Sequence, residues 1–247
     1  MEILLVLGTV SCAAWFLSML AGGGSPFILI PLVSSLLGAQ AVASVITTAM
    51  LVGNTQRCLF FWEEIDWRLT VWYVPGAIAG ALLGAYGLTF IHLEQLQFFI
   101  GLGLLAMVIS RLVLPKESSV KIKTWYFLPV AFLNAVGSGF IGSTGPVMNP
   151  LYLGYGLVKE PMIATKALHK ALLHTVKLSA YLALGVLQTD YFLYGLFIGL
   201  AGVPANWLGK LVLRRISEDR FRSMVFGFVA LSGMVMLWEQ RSVLAFF

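Results

Sequence analysis

The sequence predicts an all-α polytopic membrane protein with two inverted-topology repeats, each containing a broken or short half-helix at a Gly/Pro-rich motif. Three observations predict this fold class: the composition, the long runs without charge, and motifs that recur in both halves. Apolar residues make up 59% of the 247 residues and charged residues 11%, whereas soluble domains carry about 25% charged residues. The excess apolar surface is therefore expected to face lipid.

The runs without charge predict helices that cross the bilayer. No Asp, Glu, Lys, Arg or His lies between Glu2 and Arg57, and a crossing needs about 20 apolar residues. Helices are expected because backbone groups in lipid must be satisfied within the span. The predicted apolar segments are 3–21, 26–38, 41–61, 69–90, 96–113, 125–142, 146–156, 161–185, 191–209 and 221–238.

Two of these segments, 26–38 and 146–156, are shorter than the others. A helix over 26–38 reaches only about 20 Å, which is less than the roughly 30 Å of the hydrocarbon core. We interpret both as half-helices that meet the preceding helix within the membrane, and the sequence leaves open whether either crosses fully.

Motifs recur in the same order in the two halves. Gly22–Pro26 corresponds to Gly142–Pro146, and Thr47–Ala49 corresponds to Thr165–Ala167, with further matches downstream at offsets of 118 to 125 residues. The constant order favours a duplication over chance similarity in apolar sequence. The predicted domains are a first membrane repeat at 1–114, a cytoplasmic linker at 115–124 and a second membrane repeat at 125–247.

Loop charges predict that the repeats have opposite orientations. The loop 84–97 has no Lys or Arg, whereas its counterpart 209–222 has five. Arg57 and Arg68 flank a first-half loop whose counterpart, 186–190, carries only Asp190. Basic residues collect on the cytoplasmic side, so equivalent loops are expected on opposite sides, as in many transporters. The basic linker is then cytoplasmic and both termini face outward.

The Gly/Pro-rich breaks are the first candidate for a binding site. Pro26 and Pro146 suit the first position of a helix, and Ser25 and Thr144 are placed to cap the helix or to contact a ligand. A helix that begins inside the membrane presents free N–H groups and a positive dipole end, which suit an anion. The alternative is that the glycines only allow close helix packing.

A basic stripe on segment 161–185 is the second candidate. Its members are spaced three or four residues apart, so they share one face of a helix: Lys166, Lys170, His174, Lys177 and Tyr181. Ionisable residues inside a membrane usually line a polar pathway, and lysines without a nearby acid suggest an anionic partner or acids from elsewhere in the fold. The alternative is that Lys166 and Lys170 lie at an interface and snorkel to it.

These motifs resemble the TauE/SafE family, whose members carry a Gly-rich segment followed by Pro in each half. Here the segments are Ala21–Pro26, with Pro31, and Gly139–Pro146; Ala164–Ala167 with His174 and Lys177 is similar to one branch of the family. The resemblance covers essentially the whole chain and implies export of sulfite or small organosulfonates. The second motif reads Ser-Thr-Gly-Pro instead of an all-Gly run, which leaves the substrate open.

Together, the residues and the resemblance give one set of candidate substrate-binding residues. The resemblance supplies the substrate-loop positions, and the basic stripe supplies charge. The set is Gly24, Ser25, Pro26, Thr48, Asn134, Ser143, Thr144, Gly145, Pro146, Lys166, Lys170, His174 and Lys177. The expected partners are a small anion and the lipid bilayer; no cofactor, metal or nucleic acid is expected, and a homodimer is left open.

The function expected from the sequence is secondary transport of a small oxyanion across the bacterial inner membrane by alternating access. Sulfite and sulfonates offer several acceptors to helix N–H groups, hydroxyls and lysines. No ATP-binding motif of the GxxxxGK[ST] type is present. The alternatives are an anion channel, and a membrane enzyme or assembly factor; the membrane segments lack the clustered carboxylates, metal set or paired cysteines that such enzymes usually need.

Overall fold

The computed structural model of the protein describes residues 2–87, 105, 122–144 and 146–239. The predicted segment 96–113 and linker residues 115–121 fall outside these ranges, apart from Leu105. The helices in the described residues are α1 (Glu2–Leu20), α2 (Ser25–Leu37), α3 (Ala39–Phe60), α4 (Trp67–Gly87), α5 (Phe127–Ile141), α6 (Asn149–Tyr155), α7 (Lys159–Ala183), α8 (Thr189–Arg215) and α9 (Glu218–Glu239), with 3-10 turns at Trp62–Glu64 and Thr124–Tyr126.

The all-helical prediction is confirmed: the described residues form helices and no strand. Within the described residues, three helices, α1, α4 and α8, are long and apolar enough to cross a membrane. Helices α3 and α7 have 22 and 25 residues, and at 1.5 Å per residue they exceed the roughly 30 Å core. Their lower hydropathy comes from polar and basic side chains that turn inward.

The two short helices cannot span a bilayer by themselves. The 13 residues of α2 reach about 20 Å, and the 7 residues of α6 reach about 10 Å. Pro26 lies in the first turn of α2, as predicted. The prediction for Pro146 is wrong, because Pro146 precedes α6 in a turn where its carbonyl accepts the Asn149 N–H at 2.8 Å; Pro150 occupies the first turn instead.

Helices α3 and α7 form the centre of the protein. They pack against each other; α3 also packs on α8, and α7 also packs on α4. The outer pairs are α1 with α8 and α5 with α4. Helix α9 closes over the loop between α1 and α2, where Val225 approaches Gly22 and the ring of Phe228 contacts that of Phe27 at 6.3 Å between centroids.

Glycines allow the outer helix pairs to approach backbone to backbone. A Cβ at Gly76 would overlap the Leu128 carbonyl, and one at Gly80 would overlap the Phe132 carbonyl. One turn later, a Cβ at Gly84 would lie 2.5 Å from the Val136 carbonyl. Small residues at such a stripe are the usual means of close helix packing in membranes, where lipid contributes no hydrophobic drive between helices.

Replacing Gly80 by leucine is therefore expected to destabilise the protein by at least about 3 kcal/mol, because α4 and α5 must separate to admit the side chain. Gly227→Leu is the matched control, since Gly227 lies within α9 and a Cβ there meets nothing within 4 Å. Thermal unfolding in detergent, followed by size-exclusion chromatography, measures both. Equal stability of the two variants would contradict the tight α4–α5 contact.

A buried polar network fastens α6 to the centre of the protein. The Tyr152 hydroxyl bonds His169 Nδ1 at 2.7 Å, and His169 Nε2 bonds Thr70 Oγ1 at 3.1 Å. Thr70 donates its own proton to the Asp66 carbonyl at 3.1 Å, so Nε2–H donates to Thr70 and Tyr152 donates to Nδ1. The ring of Tyr73 stacks on the imidazole at 4.0 Å. This network connects α6, α7 and α4.

Candidate functional site

The two Gly/Pro-rich breaks meet in the interior. In the first break Gly22, Gly23 and Gly24 have φ of +68°, +113° and +123°, values that favour glycine, and the chain turns there from α1 into α2. Lys166 of α7 donates to the Gly22 carbonyl at 2.6 Å and also to Asn149 Oδ1. Because Asn149 begins α6, one ammonium group joins the break of the first half to the short helix of the second.

A cavity lies where the breaks meet. Its space for the centre of a water molecule is about 20 Å³, enough for roughly one water. Three lining residues are basic and none is acidic. The lining consists of Ser18, Gly23, Gly24, Ser25, Pro26, Met50, Asn54, Arg57, Ser143, Ile163, Lys166, Ala167 and Lys170.

Arg57 flanks the loop between α3 and α4, as the sequence predicts, but it does not act as a loop charge. Its side chain is buried and lines the cavity. It lies in the last turn of α3, and its guanidinium lies 4.9 Å from the ring centroid of Trp15. A signal was present, because Asn54 lies one turn earlier on the same face and apolar residues continue beyond Arg57. Arg57 therefore no longer counts among the loop charges.

Lys170 points into the cavity with most of its hydrogen-bonding capacity unused. Its Nζ donates one hydrogen bond, to Thr144 Oγ1 at 3.2 Å, and Thr144 donates onward to Asn134 Oδ1 at 2.6 Å. An ammonium group has three N–H donors, so two are left over among the described residues. The amide nitrogen of Asn134 is also buried without a partner in this part of the chain.

Lys177 uses its hydrogen-bond donors differently, because it caps the C-terminal end of α5. Its Nζ donates to the Ser138 carbonyl at 2.6 Å, to Ser138 Oγ at 3.2 Å and to the Gly142 carbonyl at 2.5 Å. These carbonyls lie at a helix C-terminus, where they lack helical partners and the dipole favours a cation. All three donors of Lys177 are used, so this side chain supplies charge to its surroundings but no free hydrogen bond.

The remaining predicted residues divide into those near the cavity and those away from it. Gly24, Ser25, Pro26 and Ser143 line it. His174 is buried between Lys170 and Lys177 along α7, and neither ring nitrogen has a partner among the described residues. Thr48 bonds the Ser44 carbonyl at 2.9 Å and does not line the cavity. Pro146 is buried outside the lining, and Gly145 lies outside the described residues.

The charge of this region is uncompensated within the described part of the chain. The ion pair found among the described residues joins Lys159 and Glu160 at 3.8 Å, and it lies at the start of α7. Arg57, Lys166, Lys170 and Lys177 are all buried and bond only to neutral oxygens. Buried cations without a counter-charge cost several kcal/mol each. The lysines do not snorkel outward; their ammonium groups lie inside the protein.

The family model described as "Sulfite exporter TauE/SafE" matches residues 7–236 of the chain. No curated protein and no solved structure matches it.

Proposed function

Because the chain belongs to the sulfite exporter TauE/SafE family, we propose that it is a secondary transporter that carries sulfite or a small organosulfonate across the bacterial inner membrane. The observation that supports this proposal is the interior cavity between the two breaks. Its walls present Arg57, Lys166 and Lys170 and no carboxylate. A bound anion would supply the counter-charge that the described residues lack.

The chemistry of the walls suits a compact oxyanion. Ser25 and Ser143 bring hydroxyl groups to the lining, and the N-terminus of α2 opens onto it at Gly24. Sulfite and sulfonate oxygens accept several hydrogen bonds, and bonds to cationic donors are roughly twice as strong as neutral ones. A helix N-terminus adds a positive dipole end. A metal or an organic cation finds no carboxylate among these lining residues.

The inverted-repeat architecture is part of the proposal, and the helix contacts support a duplication. Helices α1 to α4 of the first half correspond to α5 to α8 of the second. The contact of α1 with α8 therefore corresponds to that of α5 with α4, and the contact of α3 with α8 corresponds to that of α7 with α4. The correspondence extends to single residues. A Cβ at Gly84 would meet Val136 and Gly139, and one at Gly209 would meet Phe16 and Met19. Gly84 is equivalent to Gly209, Phe16 to Val136 and Met19 to Gly139, at sequence offsets within the range of the recurring motifs.

Opposite orientation of the repeats rests on the loop charges. Because Arg57 is buried, the difference in basic charge between the first-half loop near Arg68 and its counterpart 186–190 becomes smaller. The predicted loop 209–222 comprises the end of α8, a two-residue turn and the start of α9. Its cluster of Lys and Arg still supports a cytoplasmic location by the positive-inside rule. An inverted repeat places a midplane site between the two halves, which agrees with a cavity bounded by α3 and α7.

Alternating access accounts better than a channel for the narrow cavity. Space for about one water does not pass a sulfite ion, so the walls must move for transport. A carrier moves its repeats around the site and exposes it to each side in turn. An anion channel requires a continuous path instead. The lining also offers cations, hydroxyls and glycines, which bind an anion but do not form an acid–base pair for an enzyme.

Counterflow in proteoliposomes tests the proposal. Vesicles loaded with unlabelled sulfite are expected to take up labelled sulfite at a rate that saturates with concentration and exceeds the rate in empty vesicles. Protein-free vesicles serve as the control, and taurine and methanesulfonate probe the sulfonate class. Uptake that rises linearly and shows no acceleration by internal substrate would indicate a channel, and no uptake of any of these anions would contradict the proposed function.

A further inference from the structure

We infer that Arg57 is the residue that fixes the orientation of the anion in the cavity, and that Asn206 of α8 holds it in position. This inference rests on the proposed function. Arg57 was not among the binding residues predicted from sequence.

Three neutral acceptors hold the guanidinium group. Arg57 Nε donates to Asn206 Oδ1 at 2.8 Å, one Nη donates to Ser18 Oγ at 3.2 Å, and the other Nη donates to the Trp15 carbonyl at 2.9 Å. The acceptors come from α1 and α8, so the side chain of an α3 residue is fixed between two other helices. Such a side chain loses little further entropy when an anion binds.

The guanidinium has five N–H donors in a planar fork, and these three bonds use one on each nitrogen. Each Nη therefore keeps one N–H that has no acceptor among the described residues. Arg57 is also part of the cavity lining. One free N–H on each Nη leaves the group able to donate to two oxygens of a sulfite or sulfonate group, and arginine binds carboxylates and phosphates through such paired donors.

Arg57 and Lys170 are the donors best placed to share an anion. Lys166 gives two of its three N–H groups to Gly22 and Asn149, whereas Lys170 gives only one, to Thr144. Arginine also keeps its charge under all physiological conditions. The two residues belong to α3 and α7, which lie in different halves of the chain, so an anion that contacts both would bridge the two repeats.

Asn206 is the positioning residue in this arrangement. Its amide nitrogen donates to Gln56 Oε1 at 3.0 Å and to the Gly53 carbonyl at 3.5 Å, which leaves its oxygen facing Arg57 Nε. Replacing Asn206 by aspartate keeps the shape and the acceptor for Arg57, removes the amide donor to Gln56 and Gly53, and adds a negative charge beside the guanidinium. The resulting ion pair would supply the counter-charge that we assign to the substrate, so the folded protein keeps its contact and the anion loses its partner.

Binding of sulfite to the purified full-length protein, in detergent and in a gluconate buffer without oxygen, tests this inference. Arg57→Gln is expected to weaken binding roughly 10- to 100-fold, the loss expected for hydrogen bonds to a charged group. Asn206→Asp is expected to weaken it to a similar extent while the protein stays folded, because the ion pair with Arg57 offsets the lost amide hydrogen bonds; the melting temperature without sulfite checks this. Arg57→Lys is expected to bind more weakly than wild type, because it keeps the charge but loses the fork. Arg68→Gln removes the same charge at an exposed position, and this variant is expected to bind sulfite like wild type.

The outcomes separate this inference from the proposed function. If Asn206→Asp or folded Arg57→Gln binds and transports sulfite as well as the wild type does, Arg57 only packs α3 against α1 and α8. The transporter assignment would then still stand. Wild-type protein that neither binds nor transports sulfite, methanesulfonate or taurine would overturn both. If Arg57→Gln does not fold, Asn206→Asp still decides, because aspartate retains the acceptor for Arg57.

Discussion

Replacing Lys170 by glutamine is expected to reduce sulfite transport roughly 10- to 100-fold without lowering the stability of the protein. The ammonium group lines the cavity and uses one of its three donors, on Thr144, so its main contribution is to an anion. Bonds from a charged donor are worth about 1.5–3 kcal/mol, which corresponds to this fold-change. Removal of a buried cation without a counter-charge also removes a desolvation penalty. Initial rates of sulfite uptake and melting temperatures in detergent measure the two effects.

Lys159→Gln is the matched control, because it makes the same change on the same helix at a partly exposed position paired with Glu160. It is expected to transport like wild type. Lys177→Met provides a contrast, since the loss of three hydrogen bonds at the end of α5 is expected to lower the melting temperature. The assignment of Lys170 would be refuted by transport that is normal in Lys170→Gln protein of normal stability.

Replacing Gly23 by alanine is expected to abolish most transport and to destabilise the protein. Gly23 has a φ of +113°, and a side chain in that conformation costs about 1–3 kcal/mol. The added Cβ would also overlap Lys166 Nζ. The ammonium group must then leave the Gly22 carbonyl and Asn149, which separates the two breaks and changes a wall of the cavity. Melting temperature and counterflow on the same preparation measure strain and transport together.

Gly156→Ala separates backbone strain from the effect on the cavity. Gly156 has a φ of +111°, close to that of Gly23, but a Cβ there meets nothing within 4 Å. Its alanine variant is expected to lose stability by a similar conformational strain and to retain its transport rate per folded molecule. If both variants lose transport equally, the loss at Gly23 reflects general destabilisation and not the position of Lys166.

The sequence allowed the positions of the two breaks to be predicted better than the helix starts and contacts that they form. Clusters of glycine and proline locate the break after α1 because the backbone requires them there, with positive φ at Gly22, Gly23 and Gly24. The start of α6 was predicted less well, because Pro146 and Pro150 both suit a helix N-terminus and local sequence does not distinguish them. In the structure Pro146 closes the turn before α6, and Tyr152 fastens α6 to His169 of α7.

The roles of the basic residues also depended on contacts between distant parts of the chain. Periodicity placed Lys166, Lys170 and Lys177 on one face of a helix, and the structure keeps them buried on that face. Their free donors differ, however, because Lys177 meets the end of α5 and Lys166 meets both breaks, whereas among the described residues Lys170 meets only Thr144. No spacing along α7 predicts these differences, since each partner lies in another part of the chain.

The sequence by itself determined the class of the protein, the order and approximate positions of the helices that the structure describes, the two breaks and the basic face of α7. These follow from composition, periodicity and the backbone demands of glycine and proline, which are local properties. Only the tertiary structure decided that the breaks meet at Lys166 and that Arg57 turns into the cavity. A charge at the end of an apolar segment has the same local sequence whether it snorkels to the interface or points inward, and the packing of α3 between α1 and α8 selects the second.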